Sequence, residues 1–273
     1  MDSPHRQTVS GPRPVRGADI HATAVVHPDA CLGHNVVVGP HSCIGPDVVI
    51  GPDCRIGSCV LIDGHTVIGR NNRIHHGAAI GGPPQDLKYR GETSWVEIGN
   101  DNVIREYVTI HLATGEEEKT RVGDGNMLMA YVHIAHNCHI HHRTILANAV
   151  NLAGHVDIDD WAIVGGMTPV HQFVSIGRHA FVGGGSRLAQ DVPPFFKVAG
   201  NPIEVAGINA VGLKRRGFDD EEIQNVKKAY RLLYRSGLNT SQALERIATD
   251  CRLTRNIEDL MSFIRRSDRG IVR

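Results

Sequence analysis

Aromatic residues are scarce in this 273-residue chain, and neither sign of charge dominates it. Phe, Trp and Tyr make up only 5% of the sequence, fewer than the core of a large globular protein usually contains. Lys and Arg number 29, and so do Asp and Glu. Nucleic-acid-binding proteins usually carry a basic excess, so this balance argues against that class. The chain also lacks a run of about 18 apolar residues, which argues against a membrane span.

Paired cysteine motifs are also missing. The six cysteines form no CxxC pair, and residues 1–17 lack the apolar core of a secretory signal peptide. We therefore predict free thiols and a cytoplasmic protein. Residues 1–17 are polar and contain three prolines, which predicts a disordered leader.

A six-residue repeat is the dominant feature of the sequence. Between Ile20 and Leu188, 26 of the 29 positions spaced six apart are aliphatic, and the exceptions are Asp86, Glu92 and Glu116. Such hexads are typical of a parallel β-helix, in which each hexad forms a short strand and a turn. The residue after the aliphatic one is often glycine, which we attribute to the backbone angles of the turn. The repeat predicts a mainly β fold over residues 18–194.

Two interruptions and a change of period divide the chain. The aliphatic register breaks at two predicted projecting loops, 82–95 and 112–121, and the first is favoured for function because it is rich in polar groups. Residues 195–273 are predicted to form a small α-helical domain, with helices at 221–235, 241–248 and 257–266. This segment carries 15 basic and 10 acidic residues, which suits an acidic partner.

The hexads resemble those of the left-handed β-helix family, whose coils contain three hexads, so the resemblance implies the hand and an 18-residue coil. Residues 18 apart should then lie one above another, about 4.8 Å apart as neighbouring strands. This stacking predicts a histidine-rich column at one corner. Its members are His133, His136, Gly154, His155, His171 and Gln172.

Two chemistries suit such a column. Histidines from neighbouring coils or subunits could hold Zn²⁺, as in the hexapeptide-repeat carbonic anhydrases. Alternatively, one histidine could deprotonate a hydroxyl for attack on an acyl carbonyl, while a backbone N–H stabilises the oxyanion. The residues of the column leave both chemistries open.

Further motifs make the chain resemble one enzyme family. They are QDLKY at 85–89, IRE and VTIH within 104–111, HIAH at 133–136, LAGH at 152–155, VHQF at 170–173 and GLKRRGF at 212–218. Together they resemble the UDP-N-acetylglucosamine O-acyltransferases, which move a 3-hydroxyacyl chain from acyl carrier protein to the glucosamine 3-hydroxyl in the first step of lipid A biosynthesis. The resemblance covers about residues 20–273. It implies a homotrimer that needs no metal or other cofactor.

The resemblance assigns roles to members of the column. It implies that His136 is the general base and that the Gly154 N–H forms the oxyanion hole. Asp86 and His133 would hold the sugar. Gln85 and Lys88, contributed by a neighbouring subunit, would fix the nucleotide sugar, and the sugar and acyl region would be lined by His155, His171 and Gln172.

The same resemblance places other residues against the nucleotide, the carrier and the acyl chain. Asn209, Arg215 and Arg216 would meet the nucleotide phosphates or the acidic carrier. Gly184 would leave the acyl groove open for long chains. Phe181 stands where some members have methionine, and its side chain would either set the chain length or simply pack.

Two positions depart from the family pattern. Asn137 follows His136 where well-known members have aspartate, which puts an acidic orienter of the histidine in doubt. Val211 replaces a glutamate that contacts the nucleotide in some members. The acceptor could accordingly be N-acetylglucosamine or a 3-amino analogue, and the acyl length stays open.

The alternatives are other proteins with hexapeptide repeats. The related N-acyltransferase shares HIAH but carries an additional N-terminal domain, for which this chain has no room. A zinc carbonic anhydrase would not need the QDLKY loop or a basic helical tail. A noncatalytic β-solenoid scaffold would need neither these features nor the histidine column.

Overall fold

The computed structural model describes residues 17–273, so the predicted leader at 1–17 lies outside the described residues apart from Gly17. The repeats form a left-handed parallel β-helix, which confirms the predicted fold class. Each coil contributes one short strand to each of three parallel sheets, here called A, B and C. The C-terminal region adds two strands to sheet A and contains four helices.

The strands are short and evenly distributed. Sheet A contains β1 Asp19–Ile20, β4 Val37–Val38, β7 Arg55–Ile56, β10 Arg73–Ile74, β13 Val103–Ile104, β16 Met127–Leu128, β19 Ile145–Leu146, β22 Ile163–Val164, β25 Phe181–Val182, β26 Phe196–Ala199 and β27 Glu204–Ile208. Sheet B contains β2 Val25–Val26, β5 Cys43–Ile44, β8 Leu61–Ile62, β11 Ala79–Gly82, β14 Thr109–His111, β17 His133–Ile134, β20 Asn151–Leu152 and β23 Pro169–Val170. Sheet C contains β3 Cys31–Leu32, β6 Val48–Ile50, β9 His65–Ile68, β12 Trp95–Ile98, β15 Lys119–Val122, β18 His139–Ile140, β21 Asp157–Ile158 and β24 Ser175–Ile176.

The register follows the predicted 18-residue coil except at the two loops. His133 pairs with Asn151, and Asn151 pairs with Pro169. Across the loop at 82–95, Ile80 pairs with Ile110, so the coil gains two hexads. Across the loop at 112–121, Ile110 pairs with Ile134, so the coil gains one. Because both insertions are whole hexads, the aliphatic side chains return to the interior after each loop.

The interior is filled by the aliphatic hexad positions, with a short polar ladder at one corner. Almost every such residue from Val38 to Leu188 is buried. The buried amides of Asn72, Asn102 and Asn126 stack on successive coils, and Asn126 Oδ1 accepts from the Thr144 N–H at 2.7 Å. Each amide has a partner on the next coil, so this polar corner avoids the cost of an unpaired buried group.

The glycines after the aliphatic positions are needed for a reason other than the one the sequence suggested. They do not adopt positive φ angles, which occur instead at residues such as Asn137 (φ 57°) and His155 (φ 61°). A Cβ on Gly33 would lie 2.6 Å from Pro52 N, and one on Gly51 would lie 2.7 Å from the carbonyl carbon of Gly69. The expectation of unusual turn angles was therefore wrong at these positions, because close approach of the next coil requires glycine there.

The segment predicted to be helical from residue 195 begins with strands. β26 pairs in parallel with β25, and β27 returns antiparallel to β26, so both extend sheet A. The helices follow as α1 Ala210–Arg215, α2 Asp220–Tyr234, α3 Thr240–Asp250 and α4 Arg255–Arg266. The three predicted helices are confirmed, whereas the strands and the short helix α1 were missed. None of the helices in residues 17–273 is long and apolar enough to cross a membrane.

The helices pack on a second apolar core beside the β-helix. Asp219 caps α2 by accepting from the Glu222 N–H at 2.7 Å, as the sequence predicted. The apolar faces of α2, α3 and α4 bury Val226, Ile247 and Leu260. Phe195 and Phe196, at the end of the repeats, belong to the same cluster and are fully buried. The two phenylalanines therefore fix the helical part against the last coil.

Candidate active site

A cleft of about 700 Å³ opens at the corner that follows sheet B. It is formed where β17, β20 and β23 pass into their turns, and the loop at 82–95 borders it. Its lining residues are Gln85, Asp86, Lys88, His133, Ala135, His136, Asn151, Leu152, Ala153, Gly154, His155, Pro169, Val170, Gln172 and Phe173. The structure thus brings together eight of the residues that the sequence singled out. These are Gln85, Asp86, Lys88, His133, His136, Gly154, His155 and Gln172.

The imidazole of His136 is held in one tautomer. Its Nδ1 lies 2.9 Å from Asn137 Oδ1, and the same oxygen accepts from the Thr114 N–H at 2.9 Å. The other end of the amide, Asn137 Nδ2, donates to the Thr114 carbonyl at 3.1 Å, which fixes the orientation of the amide. His136 Nδ1 must therefore carry the proton and donate. In the neutral imidazole, Nε2 is therefore the nitrogen that can accept a proton.

Asn137 owes its position to the second loop. Thr114 lies in the 112–121 loop, and the Asn137 N–H donates to Thr120 Oγ1 at 2.9 Å near the end of that loop. The 112–121 loop is in turn hydrogen-bonded to the 82–95 loop, since Glu92 Oε1 accepts from the Gly115 N–H at 3.0 Å. The second loop, for which the sequence indicated no function, thus supports the residue that orients His136.

Gly154 lies directly beneath the His136 ring. A Cβ at this position would lie 2.5 Å from His136 Nε2, so no larger residue fits without moving the ring. The His155 N–H donates to the His136 carbonyl at 3.1 Å, and the Phe173 N–H donates to the Gly154 carbonyl at 3.1 Å. These bonds place the three coils in the stacking that the 18-residue spacing predicted.

The Gly154 N–H is free to bind a ligand. No acceptor within residues 17–273 takes a hydrogen bond from it. Proline, which has no N–H, fills the same turn position in four earlier hexads, as Pro28, Pro40, Pro46 and Pro52. The coil therefore does not need this donor for its own hydrogen bonds. At Gly154 the spare donor lies beside a basic nitrogen.

The loop at 82–95 brings a carboxylate to the same place. Asp86 Oδ2 lies 3.9 Å from His136 Nε2, too far for a hydrogen bond but close enough to stabilise a positive charge on the ring. Asp86 Oδ1 accepts from the Lys88 N–H at 2.9 Å, which orients the carboxylate. Gln85, Asp86 and Lys88 reach the cleft of their own chain, so a neighbouring subunit is not required to place them there.

The histidines around His136 are kept neutral at pH 7. Burial, reinforced by His111 and His136, lowers the pKa of His133 to about 4. Burial also lowers the pKa of His155 and of His111 below the usual range, with His136 adding to the effect in both. A positive charge that develops on His136 therefore meets no fixed cation among these three neighbours.

Several contacts in the site were not singled out from the sequence. His111 packs edge-to-face on His133 with ring centroids 5.0 Å apart, and its Nδ1 is buried without a hydrogen-bond partner in the described chain. Phe173 stacks on His155 at 4.6 Å. His111 belongs to the VTIH motif, and Phe173 follows Gln172 in VHQF, so both were visible in the motifs. Thr114 lies in the loop outside the hexads and gave no such signal.

Other predicted residues lie outside the cleft. His171 is exposed, and its Nδ1 lies 3.2 Å from the Gln172 carbonyl; it does not line the cleft. Gly184 lies beside Gly166 in the turn after β25 and likewise lines neither this cleft nor the cavity described next.

A second cavity of about 300 Å³ lies between sheet A and the start of α1. Phe181, Val211, Asn209 and Arg215 line it. The Asn209 side chain is already engaged, since Oδ1 accepts from the Gly212 N–H at 3.2 Å and Nδ2 donates to the His179 carbonyl at 3.0 Å. Within one chain, the structure therefore groups Phe181 with the residues predicted for phosphate or carrier binding rather than with His136.

Arg216 lies beside that cavity, stacked on an aromatic ring. Its guanidinium carbon is 3.7 Å from the centroid of Trp161, and the Arg143 guanidinium lies 4.7 Å from the same centroid. Burial, with Arg143 second, lowers the pKa of Arg216 somewhat. The stacking fixes the direction of the Arg216 side chain.

Comparison with known sequences identifies relatives over nearly the whole chain. A sequence model described as UDP N-acetylglucosamine O-acyltransferase, domain 2, matches residues 191–272, and one described as bacterial transferase hexapeptide (six repeats) matches residues 32–64. A Burkholderia lata protein named acyl-[acyl-carrier-protein]–UDP-N-acetylglucosamine O-acyltransferase is 51% identical over 93% of this chain and 99% of its own length. A protein of the same name from Gloeothece citriformis is 56% identical over 68% of each chain.

Solved structures give the same result. The UDP-N-acetylglucosamine acyltransferase of Bacteroides fragilis has a TM-score of 0.91 and 43% identity over 93% of this chain and 99% of its own. The enzyme from Francisella novicida has a TM-score of 0.89 and 43% identity over 93% and 94% of the two chains. Both the β-helix and the helical region are therefore shared with these enzymes.

Proposed function

The chain belongs to the UDP-N-acetylglucosamine O-acyltransferase family, and we propose that His136 is the general base of its acyl transfer. It is an enzyme of lipid A biosynthesis that moves an acyl chain from acyl carrier protein to UDP-N-acetylglucosamine. The observation that carries the proposal is the tautomer of His136. Asn137 fixes the proton on Nδ1, so Nε2 faces the cleft with a free lone pair.

In the proposed reaction, His136 Nε2 takes the proton from the glucosamine 3-hydroxyl as its oxygen attacks the thioester carbonyl of a 3-hydroxyacyl carrier protein. The C–O bond forms, and the carbonyl electrons move onto oxygen to give a tetrahedral oxyanion. Collapse of that intermediate breaks the C–S bond. The departing thiolate recovers the proton from Nε2, which returns His136 to its starting state.

The Gly154 N–H is the proposed donor to the oxyanion. It is unused by the coil, and it lies beside the nitrogen that starts the reaction. A fixed donor aimed at developing charge stabilises the transition state more than the ground state. The Asp86 carboxylate, 3.9 Å from Nε2, would stabilise the imidazolium that exists between the two proton transfers.

The remaining cleft residues are proposed to bind the acceptor. Asp86 and His133 would contact the sugar hydroxyls, and Gln85 and Lys88 the rest of the nucleotide sugar. His155 and Gln172 would border the sugar and acyl region, with His171 at its exposed edge. The low pKa of His133 suits this role. A neutral imidazole has one donor and one acceptor nitrogen, so it can form a hydrogen bond with a sugar hydroxyl.

The second cavity and the helical region are proposed to meet the phosphates or the carrier. Arg215 and Arg216 supply positive charge there, and the C-terminal segment is basic overall. Acyl carrier protein is acidic, so the charges are complementary. We further propose that the enzyme works as a homotrimer. The acyl chain would run past Phe181 and Gly184, on a surface that adjoins the cleft.

A transfer assay tests the substrate and the chain-length proposal together. With UDP-N-acetylglucosamine as acceptor and a graded series of 3-hydroxyacyl carrier proteins, we expect transfer with one preferred length. Gly184→Met should move the preference to shorter chains, because its side chain would occupy part of the proposed groove. Transfer only to the 3-amino sugar nucleotide would contradict UDP-N-acetylglucosamine as the acceptor. An unchanged length preference in Gly184→Met would contradict the proposed acyl groove.

The role of Asn137 as a positioning residue gives a separate prediction. Asn137→Ala should lower kcat about tenfold and leave KM nearly unchanged, because a hydrogen bond that orients the base is lost. Asn137→Asp should restore most of kcat, since a carboxylate oxygen also accepts from Nδ1–H and tolerates the φ of 57°. Steady-state kinetics of both variants check this. Equal losses in the alanine and aspartate variants would assign Asn137 a purely structural role.

A further inference from the structure

Two histidines and an aspartate converge on the outer face of sheet C, away from the residues used in the mechanism. His139 and His141 lie two residues apart across β18 and therefore project to the same side. Asp157 is the residue paired with His139 on the neighbouring coil. Each of the three side chains offers a nitrogen or oxygen ligand atom within 4.8 Å of the other two.

The distances match the edges of a metal coordination tetrahedron. His139 Nδ1 lies 3.7 Å and His141 Nε2 lies 3.4 Å from the same oxygen, Asp157 Oδ2. Two ligand atoms that are each about 2.0–2.1 Å from Zn²⁺ stand about 3.4 Å apart in a tetrahedron. The ligands are thus nearly in place without movement of the backbone.

The surroundings also favour a cation. The His139 and His141 rings stack with centroids 3.9 Å apart, and both are partly buried, which limits the rotamers they can adopt. Asp159 and Asp160 add negative charge beside His141. The nearby Arg121 is paired with Glu97 at 3.4 Å, which offsets its positive charge.

We infer that His139, His141 and Asp157 form a binding site for a divalent transition-metal ion, best suited to Zn²⁺. Two imidazoles and one carboxylate are a donor set that zinc prefers, and a fourth position stays open to water. The ion would join two adjacent coils from outside and so stabilise the folded β-helix. A second group, His141 with Asp159 and Asp160, is less suited to zinc, because Asp160 Oδ1 already accepts from the His142 N–H at 2.9 Å.

Zinc binding to the full-length protein, purified without a histidine tag and stripped with a chelator, tests the site. After the stripped protein is reloaded with zinc and passed through gel filtration, we expect elemental analysis to find one zinc per chain. We also expect zinc to raise the melting temperature of the protein. His141→Ala and Asp157→Asn should each weaken zinc binding at least tenfold in competition with a chromophoric chelator, and should abolish the rise in melting temperature.

Two control variants make the result specific. His27→Ala removes a histidine that lies 3.6 Å from Asp29 without a second imidazole, and it should leave zinc binding unchanged. Asp159→Asn should weaken zinc binding much less than either ligand variant, because it removes a neighbouring charge but no ligand of the site. The inference is overturned if the wild type retains no zinc. It is also overturned if zinc is lost in Asp159→Asn but kept in Asp157→Asn, or if it survives both ligand variants and disappears only in His133→Ala.

Discussion

Replacing His136 with alanine is expected to lower kcat for acyl transfer by roughly a thousandfold, the effect typical of losing a general base. The protein should stay folded, because His136 is a turn residue and the interior of its coil is filled by Ile134 and Cys138. Turnover with acyl carrier protein and UDP-N-acetylglucosamine measures the effect. Circular dichroism and light scattering establish that the variant keeps its fold and its oligomeric state.

The matched control for that variant is His142→Ala. His142 occupies the same turn position one hexad later, and its Nδ1 accepts from the Asp124 N–H at 2.9 Å. It lies outside the cleft and should retain nearly full activity. If His136→Ala also kept most of its activity, the base would have to be another group of the cleft. His155 would then be the next to test.

The stacking of the site could be predicted from the sequence because a hexad repeat fixes which residues lie above one another. The 18-residue spacing placed Gly154 and then Gln172 on the coils that follow His136, and both line the cleft. The insertions at 82–95 and 112–121 did not disturb that prediction, because they end before His133. Periodicity thus determined the column without any knowledge of side-chain contacts.

The network that orients His136 could not be predicted in the same way. Thr114 lies in a loop outside the hexads, and its contact with Asn137 depends on how that loop folds back over the next coil. From the sequence, the neutral Asn137 put an acidic orienter in doubt. The structure supplies an orienter through hydrogen bonding alone, although a neutral amide adds no charge stabilisation.

The start of the C-terminal region was missed for a related reason. Phe196–Ala199 and Glu204–Ile208 fall after the hexad register ends, and neither segment is long enough to give a clear period of two. Their pairing depends on the open edge of β25, which only the fold shows. The longer helices were predictable, because their apolar residues recur over several turns and Asp219 marks the start of α2.

Gly154→Ala is the second change with a large expected effect, a loss of about a hundredfold or more in kcat. The added Cβ would lie 2.5 Å from His136 Nε2, so the ring must move away from the cleft. A displaced ring weakens its hydrogen bond to Asn137 and no longer lies beside the Gly154 N–H. Small displacements of a catalytic group cost on the order of a hundredfold in rate. Single-turnover rates with saturating acyl carrier protein measure the chemical step directly.

Gly166→Ala provides the comparison, because Gly166 fills the same turn position at a different corner. Its Cβ would lie 3.0 Å from the Asn148 carbonyl oxygen, which requires a small local shift, and its next contacts, at 3.8 and 3.9 Å, are ordinary and involve no catalytic group. This variant should lose some stability but keep its rate. If Gly154→Ala and Gly166→Ala lost stability equally and both kept the wild-type rate, the His136 ring would tolerate displacement, and the proposed pairing of the base with the Gly154 N–H would be wrong.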